Sequence, residues 1–418
     1  MFERLFERPH ALARQRNGPA AEERRRYLAH CAEQQMARRT LRLIALYLLI
    51  VAKALRLADR PDELITRAEI EAEADRWANR QPRPAQMRSV RLAWLRFTGH
   101  ASRWLSFLGR LQPPAMAPRP YAEAVAQFGD SMLRERGLSP RTIEPRCRTI
   151  SEFLSLIVEA GLRLDTLTVA QVDELLARKV RDEGYARVTI QTYASTLRAF
   201  FRYAEGRSWC HPGLAAAIMA PRVFHHEALP EGPSWEEVNR ALAAARGDRP
   251  VDIRDRALLM LLAVYGLRSS EVVGLRLEDF DWEHEALTIA PCKRQKPRIY
   301  PLCRPVGDAV LRYLREVRPQ STRREVFLTL RAPFRPLPWR GLGQVVQRRL
   351  HALDVPLPHY GPHALRHACA THLLEQGLSL KEIGDHLGHQ SPEATRIYAK
   401  VDLTGLRAVA DLEREGLL

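Results

Sequence analysis

The sequence predicts a mainly helical protein: all-helical N-terminal domains followed by an α+β domain that carries one small β-hairpin. Three observations lead there. Apolar residues recur at three- and four-residue spacing, as at Ile150, Phe153, Leu154 and Ile157, which is the period of a helix with one buried face. Ala286–Ala290 and Arg298–Leu302 read as short strands around a basic turn, the pattern of a hairpin. Pro-rich stretches at Leu111–Pro120 and at His211–Pro233 divide the chain. The expected domains are an extra N-terminal helical domain, residues 1–112, a second helical domain, 118–210, a linker, 211–233, an α+β domain, 234–403, and a C-terminal tail, 404–418, able to form a short amphipathic helix.

The first two domains look like divergent copies of one unit. Ala37-Arg-Arg-Thr40 parallels Ser139-Pro-Arg-Thr142, and Ile65-Thr-Arg-Ala-Glu-Ile70 parallels Leu167-Thr-Val-Ala-Gln-Val172, both displaced by 102 residues. Each copy carries a capping box at a helix start, Thr66 with Glu69 and Thr168 with Gln171. Each closes on an aromatic helix, Trp104–Phe107 in one and Phe200–Tyr203 in the other, where the offset slips by several residues. Fixed-offset similarity is the mark of internal duplication.

In the α+β domain, Ser234 and Glu237 form a capping box that opens a helix, and Asp255–Val264 reads as a buried helix. Beyond the hairpin, Glu325–Leu330 is expected as a third short strand. Helices are expected over Leu342–Leu353, His363–Gln376, Leu380–Leu387 and Pro392–Tyr398.

Composition narrows the function. The 418 residues carry 65 Lys+Arg against 49 Asp+Glu, a formal net charge of +16, which favours a polyanionic partner such as DNA or RNA. Residues 1–110 hold 22 of the basic and 12 of the acidic residues, so the positive charge is concentrated there. Lysine is scarce, six against 59 arginines, which draws attention to tasks arginine cannot perform, such as giving up a proton near neutral pH. The longest apolar run, Leu43–Ala52, is ten residues. That is well short of the ~20 needed to span a bilayer, so a buried helix and no membrane partner are expected. Met1–Arg8 has no apolar core, so no signal peptide is expected. The six cysteines are scattered without a C-x-x-C pair, as reduced cytoplasmic thiols would be.

Three stretches could carry chemistry. In Gly266-Leu-Arg-Ser-Ser-Glu271 the glycine ends one helix and Ser269 or Ser270 starts the next, so Arg268 projects from a short, stiff junction. In Pro362-His-Ala-Leu-Arg-His367, His363 and Arg366 fall three apart near a helix N-terminus, an arrangement suited to phosphate. A metal reading of His363, His367, His386 and His389 lacks the glutamate of an H-E-x-x-H motif, and no acidic residue within 363–372 could serve as base, so no metal or other cofactor is expected. In Leu387-Gly-His389, Ser391 and Pro392 then open a helix that would place Tyr398 two turns on, above Ser391. Each stretch alone is compatible with ordinary packing.

Taken in order, these stretches resemble the tyrosine recombinase (phage integrase) family: arginine in a Gly-Leu-Arg-x-Ser-Glu helix start, lysine in a hairpin, His-x-x-Arg, Leu-Gly-His, then tyrosine nine residues later. The resemblance implies a helical core-binding domain and an α+β catalytic domain. It implies Tyr398 as the nucleophile on a DNA phosphodiester, with a 3′-phosphotyrosyl intermediate and a freed 5′-hydroxyl. Arg268 and Arg366 would bracket the phosphoryl oxygens, His363 would accept or relay the tyrosine proton, and His389 would hydrogen-bond the phosphoryl group. Glu271 would position the site. Lys293 matches the family's hairpin lysine and would protonate the leaving oxygen, with Lys296 as the alternative, since the family's usual glycines around that lysine are absent and Pro291 and Pro297 crowd the turn. Arg141 and Thr142, with Arg39 and Thr40 in the first copy, would touch DNA. The implied activity is site-specific recombination of mobile-element DNA without ATP or metal, by a homotetramer on duplex DNA or together with sister recombinases. A type IB topoisomerase and a non-catalytic DNA-binding accessory protein are the competing readings.

Overall fold

The computed structural model describes residues 1–79, 89–113, 120–219, 232–290, 297–389, 391 and 393–398. The chain divides into two compact units, residues 113–227 and a unit of residues 1–112 together with 228–418.

Residues 1–112 fold as helices α1 (Phe2–Leu5), α2 (Pro9–Arg16), α3 (Ala21–Glu33), α4 (Arg38–Ala54), α5 (Arg67–Ala78) and α6 (Val90–Phe107). The apolar run Leu43–Ala52 lies inside α4, where Leu48, Val51 and Ala52 are fully buried against Phe97, Ala101 and Trp104 of α6. The capping box that opens α5 is formed: Thr66 accepts from the Glu69 amide, and the Glu69 carboxylate accepts from the Thr66 amide at 2.8 Å. The end of the segment returns to this point, with the Ile65 amide bonded to Arg110 and the Gln112 amide to Ile65.

Residues 113–227 hold α7 (Ala122–Arg134), α8 (Pro140–Glu159), α9 (Val169–Glu183), α10 (Arg187–Glu205) and α11 (Leu214–Ala217). The core packs Phe128, Ile150, Phe153, Leu154, Phe200 and Phe201. Thr168 and Gln171 exchange hydrogen bonds at the start of α9. The start of the expected linker is part of this fold: α11 lies within residues 211–219, and its Leu214 and Ala215, with Ile218, join the core because each is too apolar to leave in water.

The remaining segment holds α12 (Trp235–Ala244), α13 (Pro250–Tyr265), α14 (Ser269–Gly274), strands β1 (Phe280–Asp281), β2 (Ala286–Ile289) and β3 (Arg298–Pro301), then α15 (Arg304–Glu316), α16 (Trp339–His351), α17 (Pro362–Glu375), α18 (Leu380–Leu387) and α19 (Glu393–Arg396). α13 runs through the centre, buried nearly all round, and packs against α15 and α17. The predicted hairpin is β2–β3, paired antiparallel from Ala286 opposite Pro301 to Ile289 opposite Arg298.

The third strand is not where the sequence pattern put it. β1 occupies the edge beside β2, in the order β1-β2-β3. Glu325–Leu330 makes only isolated bridges, from Glu325 to Arg276 and from Leu328 to Pro336. Val326, Phe327 and Leu328 are buried all the same, and the amides find scattered partners: Val326 on the Leu275 carbonyl and Leu328 on the Tyr313 hydroxyl. An apolar run satisfied residue by residue has no need of a ladder.

Candidate active site

The site forms where helix ends meet, and glycines allow the approach. Gly266 ends α13 with φ +56, and a Cβ there would collide with the Leu387 side chain. The chain turns at once into α14, whose N-cap is Arg268 itself, with the helix starting at Ser269. Glu271 fixes this arginine twice: its carboxylate accepts from the Arg268 amide at 2.8 Å and from Nη1 at 2.9 Å. The same carboxylate, almost wholly buried, also accepts from Arg298 of β3 at 2.6 Å. A buried carboxylate between two guanidiniums is compensated, and it ties the hairpin to the Arg268 junction.

The C-terminus of α18 is the hub. Gly388 takes the left-handed conformation (φ 66, ψ 49), and the His389 amide reaches back to the Gly384 carbonyl at 2.9 Å, a Schellman end. A helix end leaves carbonyls without partners inside the helix, and here the site supplies the donors. The His386 carbonyl accepts from the Tyr300 hydroxyl, Leu387 from Arg366 Nη2 at 2.8 Å, and Gly388 from Arg268 Nη2 at 2.8 Å. Cationic guanidiniums also suit the negative end of the helix dipole. A Cβ on residue 388 would collide with the Arg298 guanidinium, so this position needs glycine for its conformation and for its closeness.

Arg366 lies one turn into α17 and is 3% exposed; besides Leu387 it bonds the Gly266 carbonyl. Burial first, and then the charge of Arg268, lower its pKa to about 10, so it stays cationic at neutral pH. Among the described residues these two carbonyls take two of its five N–H groups.

Tyr398 follows α19 in a tight turn and is 2% exposed, packed with Cys369, Ala370, Ile383 and Leu387. Its hydroxyl lies 2.9 Å from Nδ1 of His367. Burial drives its pKa up to about 12, against the lowering pull of Arg366. The expected helix from Pro392 to Tyr398 is shorter than predicted. α19 spans Glu393–Arg396 and tightens into 3₁₀ geometry at Ile397–Tyr398. Tyr398 is buried there, while Ser391 is exposed.

The imidazoles cluster around Arg366. His363 and His367 are edge to face with ring centres 4.6 Å apart. His389 Nδ1 lies 2.6 Å from the Thr395 hydroxyl. Loss of hydration on its inner side, then Arg366 and Arg268, lower the pKa of His363, whose outer side is exposed. Burial first, then neighbouring positive charge, takes His367 and His389 down to about 4, so all three are neutral at pH 7. A neutral imidazole can accept the proton of a tyrosine hydroxyl, and a buried tyrosine of raised pKa needs such an acceptor to become a nucleophile.

The structure thus brings Arg268, Glu271, His363, Arg366, His389 and Tyr398 into one cluster. The imidazole that touches Tyr398 is His367, not His363. The sequence displayed His367 beside Arg366, but only a tertiary contact across 31 residues singles it out. Lys293 and Lys296 lie outside the described residues, as does the tail 404–418. Arg39, Thr40, Arg141 and Thr142 sit in the first turns of α4 and α8, apart from this cluster in sequence and fold; both arginines are exposed.

Comparison with known proteins decides the identity. The phage integrase family model matches residues 234–404, and the model of the phage integrase N-terminal SAM-like domain matches residues 125–208. Tyrosine recombinase XerC of Alcanivorax borkumensis is 34% identical over 297 residues, covering 69% of this chain and 92% of the relative. The chain belongs to the phage integrase family. It is a tyrosine recombinase, an enzyme that breaks and rejoins DNA strands, and the topoisomerase and accessory-protein readings fall away. A Sinorhizobium fredii protein named as an integrase/recombinase, y4rA, is 37% identical over 277 residues, 66% of the recombinase chain and 67% of its own. XerH bound to palindromic difH substrate aligns with a TM-score of 0.53 at 19% identity, covering 69% of this chain and 85% of XerH. At that identity the likeness speaks for the fold. Among the described residues no helix is long and apolar enough to cross a membrane.

Proposed function

We propose that this recombinase cuts and rejoins duplex DNA at a specific site through a covalent link between Tyr398 and the 3′-phosphate. The observation that carries this is the Tyr398 hydroxyl at 2.9 Å from a neutral His367, in a pocket that also holds Arg268 and Arg366. The Tyr398 oxygen attacks phosphorus and passes its proton to His367 Nδ1. The bond from phosphorus to the 5′-oxygen breaks, and that oxygen takes a proton from Lys293, or from Lys296. Religation runs the same steps backwards, and because one phosphodiester is exchanged for another, no ATP is consumed. The two guanidiniums meet the non-bridging oxygens as negative charge builds, and His389, with Thr395 donating to its Nδ1, offers Nε2–H to the same group. An incoming phosphate also adds negative charge beside His367, which raises its basicity at the moment it is needed.

Each subunit cuts one strand, and exchange between two duplexes breaks four. A tetramer on DNA, of this chain alone or with a sister recombinase, meets that count. The ends of a mobile element are the proposed substrate, cut where the DNA lies, in the cytoplasm. The test is a nicked duplex from those ends, run on a denaturing gel: wild type gives a slow-moving protein–DNA band, and Tyr398→Phe gives none while binding the duplex with nearly unchanged affinity. An adduct that persisted in Tyr398→Phe would move the nucleophile elsewhere.

A further inference from the structure

Residues 1–112 lie outside both family-model matches, yet their helices repeat those of the SAM-like unit. The repetition holds for individual core positions. Leu48, Val51, Ala52 and Leu55 correspond, 102 residues on, to Ile150, Phe153, Leu154 and Ile157, and all eight are buried. Ile65 and Ile70 correspond in the same way to Leu167 and Val172. In the last helix the offset becomes 96 residues: Phe97, Ala101, Trp104 and Leu105 match Tyr193, Leu197, Phe200 and Phe201, again all buried. The six-residue change falls in the connection before α6, longer than the one before α10. The packing repeats too: α3 on α4 and α4 on α6, as α7 on α8 and α8 on α10.

With cores equivalent, surfaces can be compared. In the second unit, the early turns of α8 and α10 line one polar groove, with Thr142, Arg146, Thr149, Gln191, Ser195 and Arg198 on its walls. Carried back by the same offsets, these positions fall on α4 and α6, as Thr40, Ile44, Tyr47, Leu95, Gly99 and Ser102. The two helices are in contact there: Tyr47, the counterpart of Thr149, stacks on His100, the counterpart of Thr196, with ring centres 4.8 Å apart. Exposed Arg39 and Arg91 stand at the first turns of the two helices, in the places of Arg141 and Arg187. This is also the segment in which the positive charge is concentrated.

We propose that residues 1–112 are a second duplex-DNA grip, laid on the backbone beside the recombination site through the α4–α6 face, with Arg39 and Arg91 on phosphates. The proposal rests on the reading of the chain as a recombinase that handles DNA through the equivalent unit.

The test uses the full chain and two duplexes, one limited to the recombination site and one extended by about two helical turns (~20 bp) on each side. Arg39→Ala/Arg91→Ala should melt with the parent and form the Tyr398 adduct on the short duplex at the parental rate. On the long duplex it should lose hydroxyl-radical protection of the flank. The slope of log affinity against log salt should shrink by about two, near one unit for each phosphate contact removed. A control pair on α5, Arg67→Ala/Arg76→Ala, should leave footprint and slope unchanged. An unchanged footprint in the α4–α6 variant overturns the proposal and leaves these residues to a protein contact; so does an equal loss in the α5 control, which would make the effect one of net charge. Failure of the wild type to form any adduct on the short duplex would instead defeat the recombinase mechanism.

Discussion

Arg268 and Arg366 reach one pocket from opposite kinds of ground. Arg268 caps a six-residue helix, is about one-third exposed in its side chain (33%), and is held by a carboxylate three residues on and by the Gly388 carbonyl. Arg366 is inside a fourteen-residue helix, is 3% exposed, and is held by two backbone carbonyls from helix ends distant in sequence. The first is oriented mainly by a local device, and its distant bond, to Gly388, comes from a side chain open to water. The second pins the ends of α13 and α18 against α17, so at Arg366 building the site and building the domain are one act.

Substitution should separate the two. Arg366→Ala strands the Gly266 and Leu387 carbonyls away from water, and an unpaired buried carbonyl costs about 1–3 kcal/mol. Melting should fall by on the order of 10 °C, measured calorimetrically, and adduct formation should vanish. Arg268→Ala should lower the cleavage rate on nicked duplex by about 10²–10³, the usual effect of losing one transition-state donor, while melting moves by no more than a few degrees. Equal thermal losses in the two variants would erase the distinction drawn here.

Glu271→Gln gives a finer cut. The neutral amide keeps the shape but weakens the hold on Arg268 and Arg298 together. Cleavage should slow about tenfold, which is ~1.4 kcal/mol in the barrier, with the loss in rate and not in DNA affinity. A purely structural role for Glu271 would lower melting without that separation.

The Arg268 side was the more legible in sequence because its determinants are contiguous. Gly266, Arg268 and Glu271 lie within six residues, and the turn, the cap and the ion pair are local matters. The same holds for Leu380–Leu387, bounded by a Ser379–Glu382 capping box and Gly388, where the expected and observed helix limits coincide. What the sequence withheld was long-range. Neither the capping of α18 by Tyr300, Arg366 and Arg268 nor the contact of Tyr398 with His367 has a local signature, since each depends on how α17, α18 and the last turn converge. The misplaced strand at Glu325–Leu330 has the same cause: alternation and apolarity state that a segment is buried, and only its neighbours decide whether it pairs.

The smallest effect concerns protons. His367 and His389 are held neutral by burial beside guanidiniums, with pKa values near 4 against an ordinary 6.5. Between those values the unfolded chain binds more protons than the folded one, so acidification favours unfolding. Stability contributed by these neutral rings is intact above pH 6.5, is lost as pH falls toward 4, and is not lost further below that. The DNA-free protein should therefore melt progressively lower from pH 7 to pH 5, a window in which ordinary carboxylates have scarcely begun to titrate. His100, half-buried and lowered to about 4 in the α4–α6 contact, adds to the same trend, so the slope alone assigns nothing to the active site. The difference between wild type and His367→Asn isolates one ring: the variant should show a shallower decline over that window and a slower Tyr398 adduct at pH 7. Parallel melting curves for the two proteins would mean that His367 is not held neutral by the arginine side of the pocket. The proton of Tyr398 would then need another acceptor, with His363, 4.6 Å from His367 between ring centres, the next in reach.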